Sequence, residues 1–146
     1  MDIVGVLNDL TGNDLLFWKV VVATVAFLLV GVEVLFAARF WGVTTFPPMG
    51  AGLAARVHRI NGRVALLLAG AVAFSCVVGP AGPTSPTRVL LHSIFGSLLF
   101  VLLAAKFTLV RVLRTGDRLL PYVGTLVFLA FAAIWATSVA DYVAAS

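Results

Sequence analysis

Two histidines stand out in a chain otherwise sparing in reactive side chains. His58 and His92 each precede a glycine by four residues, in His58-Arg59-Ile60-Asn61-Gly62 and His92-Ser93-Ile94-Phe95-Gly96. Positions four apart share one face of a helix, so each glycine leaves a flat space beside an imidazole. A neutral imidazole with such space suits the iron of a haem, whose ring edge needs the room. Close helix packing is the plainer explanation of Gly62, Gly70 and Gly96, and a histidine can also be a hydrogen-bonded packing group. For His58 an interfacial role stands beside ligation; for His92 ligation is the favoured reading. Glu33 and Lys106 are the other ionisable groups inside apolar runs. An ionisable side chain in the bilayer costs at least ~2.5 kcal/mol on insertion scales, so each needs a reason. An ion pair between the two, or snorkelling toward the near interface, competes with a proton relay or a contact to a cofactor carboxylate.

Other chemistries are excluded. Cys76 is the single cysteine, which rules out a disulfide framework and any CxxC metal site. Gly50-Ala51-Gly52 lacks the GK[ST] and the preceding strand of a phosphate loop. The single hydroxyls Ser97, Thr137 and Ser138 are read as bonding back to helix carbonyls.

The elements that position these groups follow from composition. Of 146 residues, 62% are hydrophobic and 11% charged, with a mean hydropathy of +1.12. Soluble domains carry roughly a quarter charged residues, so a soluble globule, a disordered tail and a nucleic-acid-binding module are excluded. Runs of about 20 apolar residues predict four spans, at about Phe17–Ala38, Val57–Val78, Val89–Val110 and Leu119–Val143. Acids (Asp2, Asp9, Asp14) rather than a basic segment precede the first run, which reads as a retained helix. The breaks are Phe46 to Gly52, Gly79 to Pro86 with Thr87 as a candidate cap, and Arg114 to Arg118. Short connections make sequential helices antiparallel. The expected fold is all-α, an integral membrane up-down four-helix bundle forming a single domain over residues 1–146.

Orientation follows from charge. Arg39, Arg56, Arg59, Arg63, Arg111, Arg114 and Arg118 lie on one side, against Lys19 and Arg88 on the other. That bias predicts both termini outside and the arginine-bearing loops in the cytoplasm. Trp18, Trp41, Tyr122 and Tyr142 fall near span ends as interfacial anchors; Trp135 does not, and reads as packed or lipid-facing. Along the antiparallel pair His58 and His92 differ in depth by roughly 16 residues, or about 24 Å. Axial ligands approach an iron to about 2 Å, so the two histidines do not ligate the same iron. Ser75 and Cys76 are expected opposite His92, and Met49 and Lys106 near His58.

His58-Arg59-x-x-Gly62-Arg63, an apolar helix ending near Cys76, then Arg88-Val89-Leu90-x-His92-Ser93-x-x-Gly96 and Lys106-x-x-x-x-Arg111 resemble a family of small actinobacterial four-helix membrane proteins related to b-type cytochromes of the cytochrome b561 and ferric-reductase kind. The match covers about 55 residues of 146, in the second and third spans. The resemblance implies a helical bundle that binds haem b and passes electrons between quinone and a partner protein. One departure matters: that family carries a histidine immediately before the cysteine, where this chain has Ser75, so one ligand of an outer pair is missing.

The leading expectation is a subunit of a respiratory or other redox system in a bacterial plasma membrane. His92 and His58 are its candidate haem ligands, Gly96 and Gly62 leave room for the ring, and Arg59 and Arg63 hold haem propionates or anionic lipid headgroups. Expected partners are membrane lipid, a larger redox complex or a second copy, and quinone, with no nucleic acid. The alternative is a cofactor-free accessory subunit of a larger membrane complex. A small transporter is a third reading, but no inverted repeat or interrupted midplane helix supports it.

Overall fold

The computed structural model describes residues 3–12, 14–79, 85–113 and 119–145. Among them every regular element is helical: α1 Ile3–Leu10, α2 Leu15–Phe40, α3 Ala51–Val78, α4 Pro86–Thr108 and α5 Leu120–Ala145. A π-helical turn, Leu109–Leu113, extends α4. Four of the five are long and apolar enough to cross a membrane, so the chain has the build of a multi-pass membrane protein. The expected turn at Arg114 to Arg118 and most of the Gly79 to Pro86 loop lie outside the described residues.

The helix ends show why the boundaries differ from those the hydropathy runs suggest. Asp14 starts α2, its Oδ1 accepting the Phe17 N–H at 2.9 Å. The helix closes in a Schellman turn: Val43 N–H donates to Ala38 O and Gly42 N–H to Arg39 O. Gly42 has φ +76°, which a residue with a Cβ adopts only at a cost. Pro47 and Pro48 break the chain, yet α3 begins directly after Gly50, six residues before the expected Val57. A glycine pair at a helix start costs little because the first turn has few backbone bonds to lose. Ser85, not Thr87, caps α4, accepting from Arg88 N, with Pro86 in the first turn where its missing N–H is harmless. The short α1 was not expected, since eight residues are too few for a hydropathy window.

Side-chain pairings fix the directions. From Glu33 back to Leu29 on α2, the partners on α3 run forward from His58 to Asn61, so the two helices are antiparallel. On α5 the partners of Phe27, Thr24 and Phe17 are Phe131, Trp135 and Tyr142 in rising order, so α2 and α5 are antiparallel too. The up-down arrangement holds. Its packing is less even than four equal neighbours: α3 packs on α2, α2 on α5 and α5 on α4, while α3 and α4 make no close backbone approach over more than a residue or two. The core lies where α2, α4 and α5 meet, at Ala26, Leu99, Val127, Ala130 and Phe131, with Phe27 and Leu68 against it. Large apolar side chains face outward all round, Leu67 at 73% and Val77 at 86% exposure among them. In water that surface is untenable; in lipid it is the expected boundary.

Candidate functional site

The polar side chains within the bundle gather in two layers. The first lies toward the arginine-rich end. His58, on the α3 face that meets α2, sets Nδ1 2.6 Å from Glu33 Oε2 and 3.2 Å from the Glu33 carbonyl oxygen. Both partners accept, so Nδ1 carries the proton. One helical turn on, Asn61 Nδ2 donates to Glu33 Oε1 and to Leu29 O, each at 2.8 Å. The carboxylate is thus held by two donors, one on each oxygen. The His58 ring also meets Phe40 edge to face, with centroids 5.3 Å apart. Lys106, from α4, lies close enough to interact electrostatically with Glu33 but outside ion-pair distance. Among the described residues the carboxylate of Glu33 is met by the imidazole of His58 and not by Lys106. The expected Glu33–Lys106 pair is therefore replaced by a contact within the α2–α3 packing, which brings His58 far closer.

Gly62 takes a different role from the one expected. A Cβ on it would lie 3.1 Å from Glu33 Oε2 and 3.4 Å from Cδ. The glycine clears space for the carboxylate, and that space is already filled. His58 and Gly62 therefore do not frame a flat slot for a macrocycle.

The second layer lies toward the other end. His92 Nδ1 is 3.1 Å from Thr137 Oγ1, and Thr137 spends its own hydroxyl proton on Ile134 O at 2.8 Å. The hydroxyl must then accept from the imidazole, so Nδ1 is the protonated nitrogen and Nε2 carries the lone pair. Metal-ligating histidines are commonly oriented in this way, through a hydrogen bond from the other ring nitrogen. A Cβ on Gly96, one turn along α4, would meet nothing within 4 Å. Gly31, Gly70 and Gly124 are equally open, so what sets this layer apart is the histidine anchored through Nδ1. In the same layer Trp135 Nε1 donates to Thr24 Oγ1 at 3.0 Å and the indole stacks on Phe27 at 4.7 Å and 12°. Trp135 is thus a packed residue joining α5 to α2.

The remaining expected site residues are not drawn to either histidine. Ser75 turns its hydroxyl to Ala71 O and, with Ala71 and Val72, lines a shallow groove against α1 and α2 that includes Leu7, Leu15 and Trp18. Cys76 is exposed. Both belong to α3, which keeps away from α4 and His92. Arg59 and Arg63 are exposed, on the side of α3 opposite His58. About nine residues of α2, or about 14 Å of rise, separate Thr24 in one layer from Glu33 in the other. The two histidines thus sit at different depths, closer together than the about 24 Å expected. Glu33 and Asn61, absent from the expected cofactor-binding set, hold the first layer together. Their signal was the i, i+3, i+4 spacing of His58, Asn61 and Gly62 on one helical face.

No curated protein and no solved structure matches the chain. Residues 4–146 match a family described as of unknown function, DUF6529. The match takes in both polar layers and all four long helices, and the chain is a member of that family.

Proposed function

We propose that the protein is an integral subunit of a membrane electron-transfer system, binding haem b at the His92 layer and exchanging protons at the Glu33–His58 layer. The observation that supports this reading is the His92–Thr137 contact: Nδ1 lies 3.1 Å from Thr137 Oγ1, whose own proton goes to Ile134 O, the kind of anchoring through one ring nitrogen that ligating histidines commonly show. Haem supplies one-electron chemistry when bound. The chain's own part is to orient the ligand through Thr137, keep water from the ring with apolar helix faces, and leave room at Gly96. His58 is assigned a different task. Held by Glu33 through Nδ1, it presents Nε2 as a base, and the dyad is fitted to take a proton at that atom from a quinol hydroxyl and to stabilise the resulting imidazolium. Electrons would pass between the quinone pool and a partner protein, in a larger redox complex or a homo-oligomer.

The charge bias favours an orientation with both termini outside and the arginine-bearing loops in the cytoplasm, and a bacterial plasma membrane is the location proposed. Glu33 and His58 then lie toward the cytoplasmic face and His92 toward the outer one. The test is an absorption spectrum of the purified protein, oxidised and after dithionite. A Soret band that shifts on reduction is expected; a featureless spectrum with no response removes the electron-carrier reading. A cofactor-free accessory subunit is the second reading, favoured by the single histidine in each layer. Co-purification with an oxidoreductase in a complex where this chain carries no haem supports that alternative.

A further inference from the structure

α3 turns two unlike faces to its surroundings. Ala54, His58, Asn61, Gly62 and Ala65 look toward α2, with Ala54 and Ala65 buried and Glu33 against His58, Asn61 and Gly62. At about 100° per residue, Arg56, Arg59 and Arg63 fall within about 60° of one another on the opposite side. All three are exposed. No acidic residue occurs anywhere in α3, and among the described residues no carboxylate pairs with any of the three.

The same outward face continues as Leu67, Phe74 and Val77, 73%, 53% and 86% exposed. It is cationic over its first turns and wholly apolar after Arg63. Depth sharpens the contrast. The 28 residues of α3 span about 42 Å at 1.5 Å each, against a hydrocarbon core of about 30 Å. Counting about 20 residues back from Val78 puts the hydrocarbon boundary near His58. Arg63 then has its Cα about five residues, or about 7 Å, inside the oil. An arginine there snorkels back to the interface, which sets its guanidinium at the depth of the lipid phosphates. A guanidinium fork matches a phosphodiester in shape and charge.

We propose that this face of α3 is a binding site for anionic phospholipid, the headgroup held by Arg56, Arg59 and Arg63 and one acyl chain lying along Leu67, Phe74 and Val77. The union of a cationic head and an apolar tail on one stripe fits an amphiphile, not a free anion. The stripe turns away from both histidines, so haem propionates are not its occupant. The proposal does not depend on the electron-transfer reading.

Electron spin resonance with spin-labelled lipids tests it. The protein is reconstituted in vesicles of equimolar phosphatidylcholine and phosphatidylglycerol, and the motionally restricted fraction is measured for each labelled lipid. A basic residue near the surface contributes about fivefold in anionic-lipid affinity, so the wild type is expected to favour labelled phosphatidylglycerol by about fivefold or more. The Arg56→Gln/Arg59→Gln/Arg63→Gln variant should fall toward equal affinity, and the corresponding triple lysine variant should keep most of the preference. A wild type that treats the two lipids alike overturns the proposal, and that arm stands even should the glutamine variant fail to insert. Two other results also overturn it: a preference abolished by millimolar inorganic phosphate, which marks a free-anion site, or one abolished by loading with haem, which marks a propionate site.

Discussion

Replacing Glu33 by glutamine keeps the side-chain length and removes the charge. The wild-type carboxylate accepts from His58 Nδ1 at 2.6 Å on one oxygen and from Asn61 Nδ2 at 2.8 Å on the other. Glutamine offers one oxygen and one NH2, so either one of the two donors faces another donor or the imidazole changes tautomer and gives up its bond to the residue-33 carbonyl oxygen. Hydrogen bonds to charged groups contribute about 1.5–3 kcal/mol in soluble proteins. Polar pairs between membrane helices average about 0.6 and reach about 1.7 kcal/mol, because the unfolded chain in lipid also finds partners. His58 and Glu33 keep only 18% and 13% side-chain exposure, so little water is at hand to replace the lost acceptor. The upper part of the membrane range therefore applies, and Glu33→Gln should destabilise by about 1.5 kcal/mol. The assay is reversible unfolding in mixed micelles followed by circular dichroism. A double-mutant cycle of Glu33→Ala with Asn61→Ala, in which no acceptor is left for Asn61, isolates the Asn61–Glu33 contact, since the loss of the bond to Leu29 O enters both legs and cancels. The coupling expected is at least about 0.6 kcal/mol. Additive losses, or a Glu33→Gln protein as stable as wild type, refute the reasoning.

Two further outcomes follow from the same geometry. Gly62→Ala presses a Cβ against the carboxylate at 3.1 Å and should lower stability in the wild-type background; with Glu33→Ala the cost should reverse, as the gain of about 1 kcal/mol for alanine over glycine in a helix emerges, and unfolding of the two pairs measures this. Trp135→Phe keeps an aromatic ring against Phe27 but loses the bond to Thr24 Oγ1. It should cost about 0.6–1.7 kcal/mol by the same unfolding assay and nothing further when Thr24 is already alanine.

The four long helices were legible because a bilayer imposes a length on apolar runs, and nothing else in the chain competes with that signal. The layer containing Glu33 was legible in depth but not in rotation. Equal distance from the helix ends set Glu33 and Lys106 at similar depth, yet the carboxylate meets His58 and not Lys106. It could not say that Glu33 turns to α3. Starting α3 at Val57 also concealed a symmetry: Glu33 lies seven residues before the end of α2 and His58 seven after the start of α3, so an antiparallel hairpin sets them side by side. Gly62 was ambiguous for a physical reason. A glycine on a helix face marks a close approach without naming what approaches, and here it is a carboxylate. Thr137 was read as bonding back to its own helix, which it does. Its second bond, to His92, depends on the α4–α5 packing, which hydropathy does not encode.

The central claim is that the two histidines do different work, His92 holding iron and His58 serving the Glu33 dyad. It is tested most directly by pyridine-haemochrome measurement of haem per chain in three purified proteins: wild type, His92→Ala and His58→Ala. The account predicts bound haem in the wild type and in His58→Ala and none in His92→Ala. Haem retained by His92→Ala and lost by His58→Ala, or a wild type that binds none, contradicts it.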